Sequence, residues 1–190
     1  MQSISAQLYQ AINDDDADLI RRLLESYPLE LNAYTFLAGQ TWLGYAAQVG
    51  KLVAVDALVG LGANVNIGDQ TYGAKPLCSA CSNGNHLVAE YLIQCGSDLD
   101  VETSVRNPLF SSIVGRSLEC VTVILSAGID TQIRYSSHTM SDMDAVAFAL
   151  MRGETECATR IAKWNTGADE IAVAGTLAAA EIIAGRNARS

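Results

Sequence analysis

The chain has 190 residues, 49% of them hydrophobic and only 17% charged, which is ample material for a continuous core. Its formal net charge is -9, with 21 acidic against 12 basic residues, and this argues against a phosphate-tracking surface built from clustered Lys and Arg. No stretch has the length and apolarity of a membrane span, Met1 to Gln10 lacks the basic and apolar segments of a secretory signal, and five cysteines suit a reducing compartment. The expected location is cytoplasmic.

The apolar spacing predicts helix pairs that recur along the chain. A first unit, residues 1–32, places Leu8, Ala11 and Ile12 on one helix and Leu19, Ile20, Leu23 and Leu24 on a second, with Asp15 in the turn between them. The second unit, residues 33–66, is the clearest: one helix from Trp42 to Val49 and another from about Leu52 to Leu61. Leu52, Val55, Leu58 and Val59 form a single helical stripe. Gly50 breaks the pair, and Gly62 sits where a helix C-terminus takes a left-handed residue.

The same grammar returns in residues 67–100, from Lys75-Pro76-Leu77 through Ala80-Cys81 and Gly84 to Leu92-Ile93 and Gly96-Ser97-Asp98. It returns again in residues 101–133, from Asn107-Pro108-Leu109 to Ile124-Leu125 and Gly128-Ile129-Asp130. A fifth unit, residues 134–169, keeps Val146, Ala149-Leu150, Gly153 and Ile161-Ala162, and residues 170–190 read as an Ala-rich helical cap or a truncated sixth unit. None of these helices is long enough to be stable alone, so each must bury its stripe against a neighbouring unit. The whole chain is expected to form one repeat domain.

The motif residues resemble those of ankyrin-repeat proteins. The threonine-proline-leucine-histidine motif of that family survives as Thr41-Trp42-Leu43-Gly44, Lys75-Pro76-Leu77-Cys78 and Asn107-Pro108-Leu109-Phe110. The second-helix signature survives as Leu58-Val59, Leu92-Ile93 and Ile124-Leu125, each followed by glycine and then Asn64, Asp98 or Asp130. The resemblance covers about residues 5 to 169 and implies an all-α solenoid of stacked helix-turn-helix units with protruding β-turn or hairpin loops. Departures are plain: Tyr9, Gly44, Cys78, Phe110 and Ala147 fill the histidine position, so the family's Thr–His hydrogen-bond network is absent. Unit length varies as well. Trp42 to Pro76 spans 34 residues, Pro76 to Pro108 spans 32 and Pro108 to Ala145 spans 37, the excess falling in Arg134–Asp142. In repeat folds such variation maps to loops, often on the binding face.

Several constellations invite a chemical reading. Asp14, Asp16, Asp18 and Glu25 stand at the first, third, fifth and twelfth places of an EF-hand-like calcium loop, but Leu19 replaces the turning glycine. The structural alternative is an acidic turn in which Asp16 or Asp18 caps the second helix. Cys78-Ser79-Ala80-Cys81 has C-x-x-C spacing without a second pair to complete a tetrahedral zinc site, and burial as a small hydrophobe is the expected role. His86 and His138 are the only histidines and belong to no nucleophile set, while Gly60-Leu61-Gly62 ends a helix instead of opening a phosphate loop. No catalytic residue, metal or cofactor is expected.

What remains is surface. Loop tips carry Tyr34, Phe36, Leu37, Tyr72, Arg106, Arg134, Tyr135 and His138, and Tyr and Arg are enriched in binding hot spots. The resemblance implies that partners bind on the concave face, where the first-helix candidates are Gln48, Ser82, Asn83, Val114 and Arg152. The expected function is non-enzymatic binding of another protein by a chain that is monomeric when free. Its acidity points to a basic partner, and an inhibitor or immunity protein that neutralises a toxin or enzyme fits. The alternatives are a scaffold adaptor and, more remotely, a metal-binding switch or enzyme.

Overall fold

A computed structural model describes residues 3–36, 39–138 and 140–188. The chain divides into two compact units, Met1–Asp98 and Leu99–Ser190. Both are built from short helices joined by turns. Among the described residues the only β-type pairings are two isolated antiparallel bridges, Tyr34 with Thr41 and Tyr135 with Met143. The architecture is all-α.

The first unit contains α1 (Ile4–Asn13), α2 (Ala17–Ser26), a 3-10 turn (Pro28–Glu30), α3 (Trp42–Val49), α4 (Leu52–Gly60), α5 (Pro76–Ser82) and α6 (His86–Gln94). Each odd-numbered helix packs on the even-numbered helix that follows it. Helix α3 also packs against α1 and α5, as α4 does against α2 and α6, so the pairs stack in register. The second unit contains α7 (Pro108–Val114), α8 (Leu118–Ser126), α9 (Ala145–Met151), α10 (Thr155–Thr166) and α11 (Glu170–Asn187). There α9 packs on α7 and α10 on α8, while α11 closes the stack against both α9 and α10.

Local chemistry explains the helix boundaries. Pro76 and Pro108 stand in the first turns of α5 and α7, where the missing N–H costs nothing and the fixed φ suits the helix. Ser3, Asp16, Thr41, Asn107, Ser117, Asp144 and Asp169 each accept a backbone N–H at a helix start. The turn inside each pair needs one left-handed residue. Gly50, Gly84 and Gly153 supply it at φ 74, 73 and 78. Asp15 and Arg116 do the same at φ 57 and 55 without being glycine, at a strain cost of about 1–2 kcal/mol each.

Most of the stripe residues read from the sequence form the core, while Leu19, Leu52 and Val59 are only half-buried. Leu8, Ile12, Ile20, Leu24, Val55, Leu58, Leu77 and Leu92 are buried in the first unit, and Leu109, Ile113, Ile124, Leu125, Ala149 and Ile161 in the second. Each buried Leu or Ile contributes about 1.5–3 kcal/mol relative to exposure. Cys78, Cys81, Cys120 and Cys157 are buried within this packing and form no disulfide, whereas Cys95 is half-buried at the end of α6.

Polar side chains tie successive pairs together. Asp15 Oδ1 accepts from Ala54 N at 2.8 Å, joining the first turn to the start of α4. Asn32 Oδ1 accepts from Asn64 N, and Asn66 Oδ1 from Asp98 N, both at 2.9 Å, so the loops after the second helices form a ladder. On the second-helix side, Tyr91 donates to Asp56 Oδ1 at 2.7 Å, and that bond is the main reason its phenol holds its proton well above the ordinary range.

Candidate interaction surface

The first helices carry no charged residue: α1, α3, α5, α7 and α9 contain neither Asp, Glu, Lys nor Arg. Their exposed sides are therefore neutral, presenting amides, hydroxyls, aliphatics and aromatic rings, and charge is confined to turns, loops and the remaining helices.

In the first unit the tips flank this neutral surface. Phe36 is 71% exposed and Tyr72 67%, with Tyr34 at 46% and its main chain bridged to Thr41. The loop that carries Tyr72 is braced from within by the side chain of Asp69. Asp69 Oδ1 accepts from Thr71 N and Tyr72 N at 2.8 and 2.7 Å, and Oδ2 accepts from Ala74 N at 3.0 Å. Gln70 N donates to Gly39 O at 3.0 Å, so the first two tips are joined. Leu37 lies outside the described residues.

On the helices, Gln48 is exposed and accepts from Gln40 Nε2 at 2.6 Å. Ser82 is half-buried; Asn83 is exposed and donates to Ser79 O at 2.9 Å. Between α1 and α3 the structure brings together a cluster not apparent in the sequence. Tyr9 stacks on Tyr45 with centroids 5.3 Å apart, and Phe36 leans over Tyr9 at 6.3 Å. Tyr45 donates to Asn13 Oδ1 at 3.0 Å. Burial, followed by the hydroxyl contact with Tyr9, pushes the Tyr45 phenol upward.

In the second unit most of the candidates are engaged within the fold. Arg106 is bracketed by Asp100 and Glu102. Arg134 spans Asp142 at 2.8 Å and Asp144 at 3.0 Å, closing the long loop. Tyr135 is half-buried: its hydroxyl donates to Val101 O at 2.8 Å and accepts from Asn107 Nδ2 at 3.0 Å, and its ring meets Phe110 edge-on at 5.0 Å. Phe110 stacks on Phe148, over which Arg152 lies 5.6 Å from the centroid. Val114, Arg152 and His138 are exposed.

The acidic turn has a structural occupation. Asp16 Oδ1 accepts from Leu19 N at 2.9 Å and caps α2, as the capping alternative anticipates. Among the described residues no three His, Cys, Asp or Glu side chains are grouped so as to hold a metal ion, and no helix is long and apolar enough to cross a membrane.

Comparison with known families settles the class. A family model described as ankyrin repeats, three copies, matches residues 43–135. Residues 43–135 carry ankyrin repeats. Ankyrin arrays are protein–protein interaction modules, and the exposed tips and neutral first helices are the parts of this array open to such a role. Comparison with curated proteins finds no match.

Proposed function

We propose that this ankyrin array is a non-enzymatic binding module that holds a partner protein against its loop tips and first-helix faces. One observation carries the reading: Phe36 and Tyr72 stand 71% and 67% exposed on braced tips. Large rings on loops whose main chain is braced, yet themselves barely packed, have apolar area to bury on binding, and a preformed loop has little ordering entropy to lose. The net charge of -9 favours a basic partner, chiefly through its association rate. An inhibitor or immunity protein that covers a basic toxin or enzyme in the reducing cytoplasm fits these features, and the chain then needs no chemistry of its own.

A second reading has its own support. On α11, Ile171 is 86% exposed and Ile182 59%, a second apolar surface that an adaptor would use to recruit a client. Capture from lysate of the source cells separates the two, using wild type, a Tyr34→Ala/Tyr72→Ala variant and an Ile171→Glu/Ile182→Glu variant. A blocker retains one stoichiometric partner that the tip variant loses and the α11 variant keeps. An adaptor retains two, each lost with a different variant. Retention unaffected by the tip substitutions contradicts the proposed surface.

A further inference from the structure

Two stacked aromatic pairs occupy matching places in the helical register. In the second unit, Phe110 of α7 stacks on Phe148 of α9 at 4.8 Å and 25°, and the Arg152 guanidinium lies 5.6 Å from the Phe148 centroid. In the first unit, Tyr9 of α1 stacks on Tyr45 of α3 at 5.3 Å and 22°. Phe148 and Tyr45 each stand four residues beyond their helix N-caps, Asp144 and Thr41. Eight residues beyond the cap stands Arg152 in one case and Val49 in the other. The same constellation therefore has a built-in cation in one place and none in the other.

The surroundings of the Tyr9–Tyr45 pair suit a cation from outside. No Lys or Arg occurs in α1 or anywhere from residue 27 to residue 50. Residues 1–98 hold ten carboxylates against four basic side chains, Arg21, Arg22, Lys51 and Lys75, and Lys75 is already bound to Asp98 at 2.9 Å. Phe36 adds a third ring, tilted 42° to Tyr9 and 71% exposed, while Tyr9 itself is 37% exposed. Aromatic faces are the negative end of a quadrupole, and a cation within about 6 Å of a centroid is attracted to them.

Resting on the protein-binding reading above, we propose that the exposed rings of Tyr9 and Phe36, backed by the buried ring of Tyr45, form a docking site for a cationic side chain, an arginine, presented by the partner protein. Arginine fits better than lysine. Its guanidinium is planar, weakly hydrated and able to lie flat on a ring, whereas an ammonium is compact and strongly hydrated. The unit's carboxylates attract the cation from a distance, and the rings select its shape at contact.

The test uses the full chain and two capped pentapeptides, Gly-Gly-Arg-Gly-Gly and its citrulline counterpart, which keeps the planar shape but lacks the charge. Aromatic NMR resonances of Tyr9, Phe36 and Tyr45 are followed during titration. The arginine peptide shifts them saturably, and the citrulline peptide binds roughly fivefold more weakly, the size of an exposed cation–π contact. Phe36→Leu and Tyr9→Leu, which retain apolar bulk, each weaken the arginine peptide by a similar factor with unchanged helicity. Equal binding of the two peptides would overturn the proposal in favour of a neutral apolar site. Binding that survives both Leu substitutions, or no shift at these rings, would also overturn it. None of these outcomes decides whether the array binds a protein, which the capture experiment reads independently.

Discussion

Gly50 and Asn85 are fitted to each other across adjacent helix pairs. The Asn85 side-chain amide donates to Ala47 O at 2.9 Å and Gln48 O at 2.8 Å, tying the start of α6 to the end of α3. A Cβ added at residue 50 would lie 2.6 Å from Asn85 Oδ1, and Gly50 has φ +74. The turn thus needs glycine twice, for its left-handed backbone and for the room that the asparagine takes.

Gly50→Ala should destabilise the array by about 2–3 kcal/mol, combining left-handed strain with crowding. Asn85→Ala should cost about 1 kcal/mol through the loss of two hydrogen bonds to main-chain carbonyls, of which Ala47 O keeps Gly50 N and Gln48 O lies on an exposed residue. The double variant should cost less than the sum, because removing the amide relieves the clash. Urea denaturation of the four proteins measures this, and simple additivity would show that the two residues act independently.

Tyr135 is a structural residue in the long loop, whatever else it touches. Tyr135→Phe removes the hydroxyl that joins Val101 O to Asn107 Nδ2 while keeping the edge contact with Phe110. A loss of about 1–2 kcal/mol in denaturation is expected. An unchanged midpoint would mean that water replaces the hydroxyl at no cost.

The far side of the same loop is clamped to the last turns of α11. Asn187 Oδ1 accepts from Ser141 N at 2.6 Å, and Asn187 Nδ2 donates to Ser141 O at 3.0 Å. Asn187→Ala should speed amide exchange across residues 135–143 roughly fivefold, equivalent to about 1 kcal/mol, and leave α9 unaffected. Ser141→Ala should change nothing, since both bonds are to the main chain. Equal exchange in all three proteins would remove the clamp from the account.

Burial, and after it Glu154, Glu156 and Glu119, raise the Cys157 thiol above its ordinary value of 9.0. The folded thiol binds its proton more tightly than the unfolded one. Its contribution to stability is therefore intact below pH 9.0 and fades as the pH rises beyond it. Cys157→Ala should flatten the decline of the urea midpoint above that pH, and native Cys157 should resist iodoacetamide at pH 8 until the protein unfolds. Rapid native alkylation at Cys157 would contradict its burial.

The sequence made the helix pairs legible because their signals are local. Trp42–Val49 is the helix its periodicity predicts, Leu52–Gly60 ends one residue early, and Gly62 is left-handed at φ 94. Asp15 announces itself as a substitute for the turn glycine and adopts its conformation. The fourth turn is less legible, since Gly115 sits one residue too soon and Arg116 takes the left-handed place. Contacts between pairs were hidden, because they depend on which residues the stacking brings level. Tyr9 and Tyr45 are 36 positions apart with nothing in either neighbourhood to mark a stack. Arg106 and Arg134 read as loop-tip residues presented to a partner, yet each is held by carboxylates four to ten residues away, and no periodicity reports such pairing.

The most direct measurement is the affinity of the captured partner for wild type and for a Phe36→Ala/Tyr72→Ala variant, with matching circular dichroism. Truncating two exposed anchors should weaken binding at least about 30-fold, near 2 kcal/mol, if these tips carry hot-spot contacts. Affinities within twofold of each other, with helicity intact, would place the partner elsewhere on the array and contradict the account.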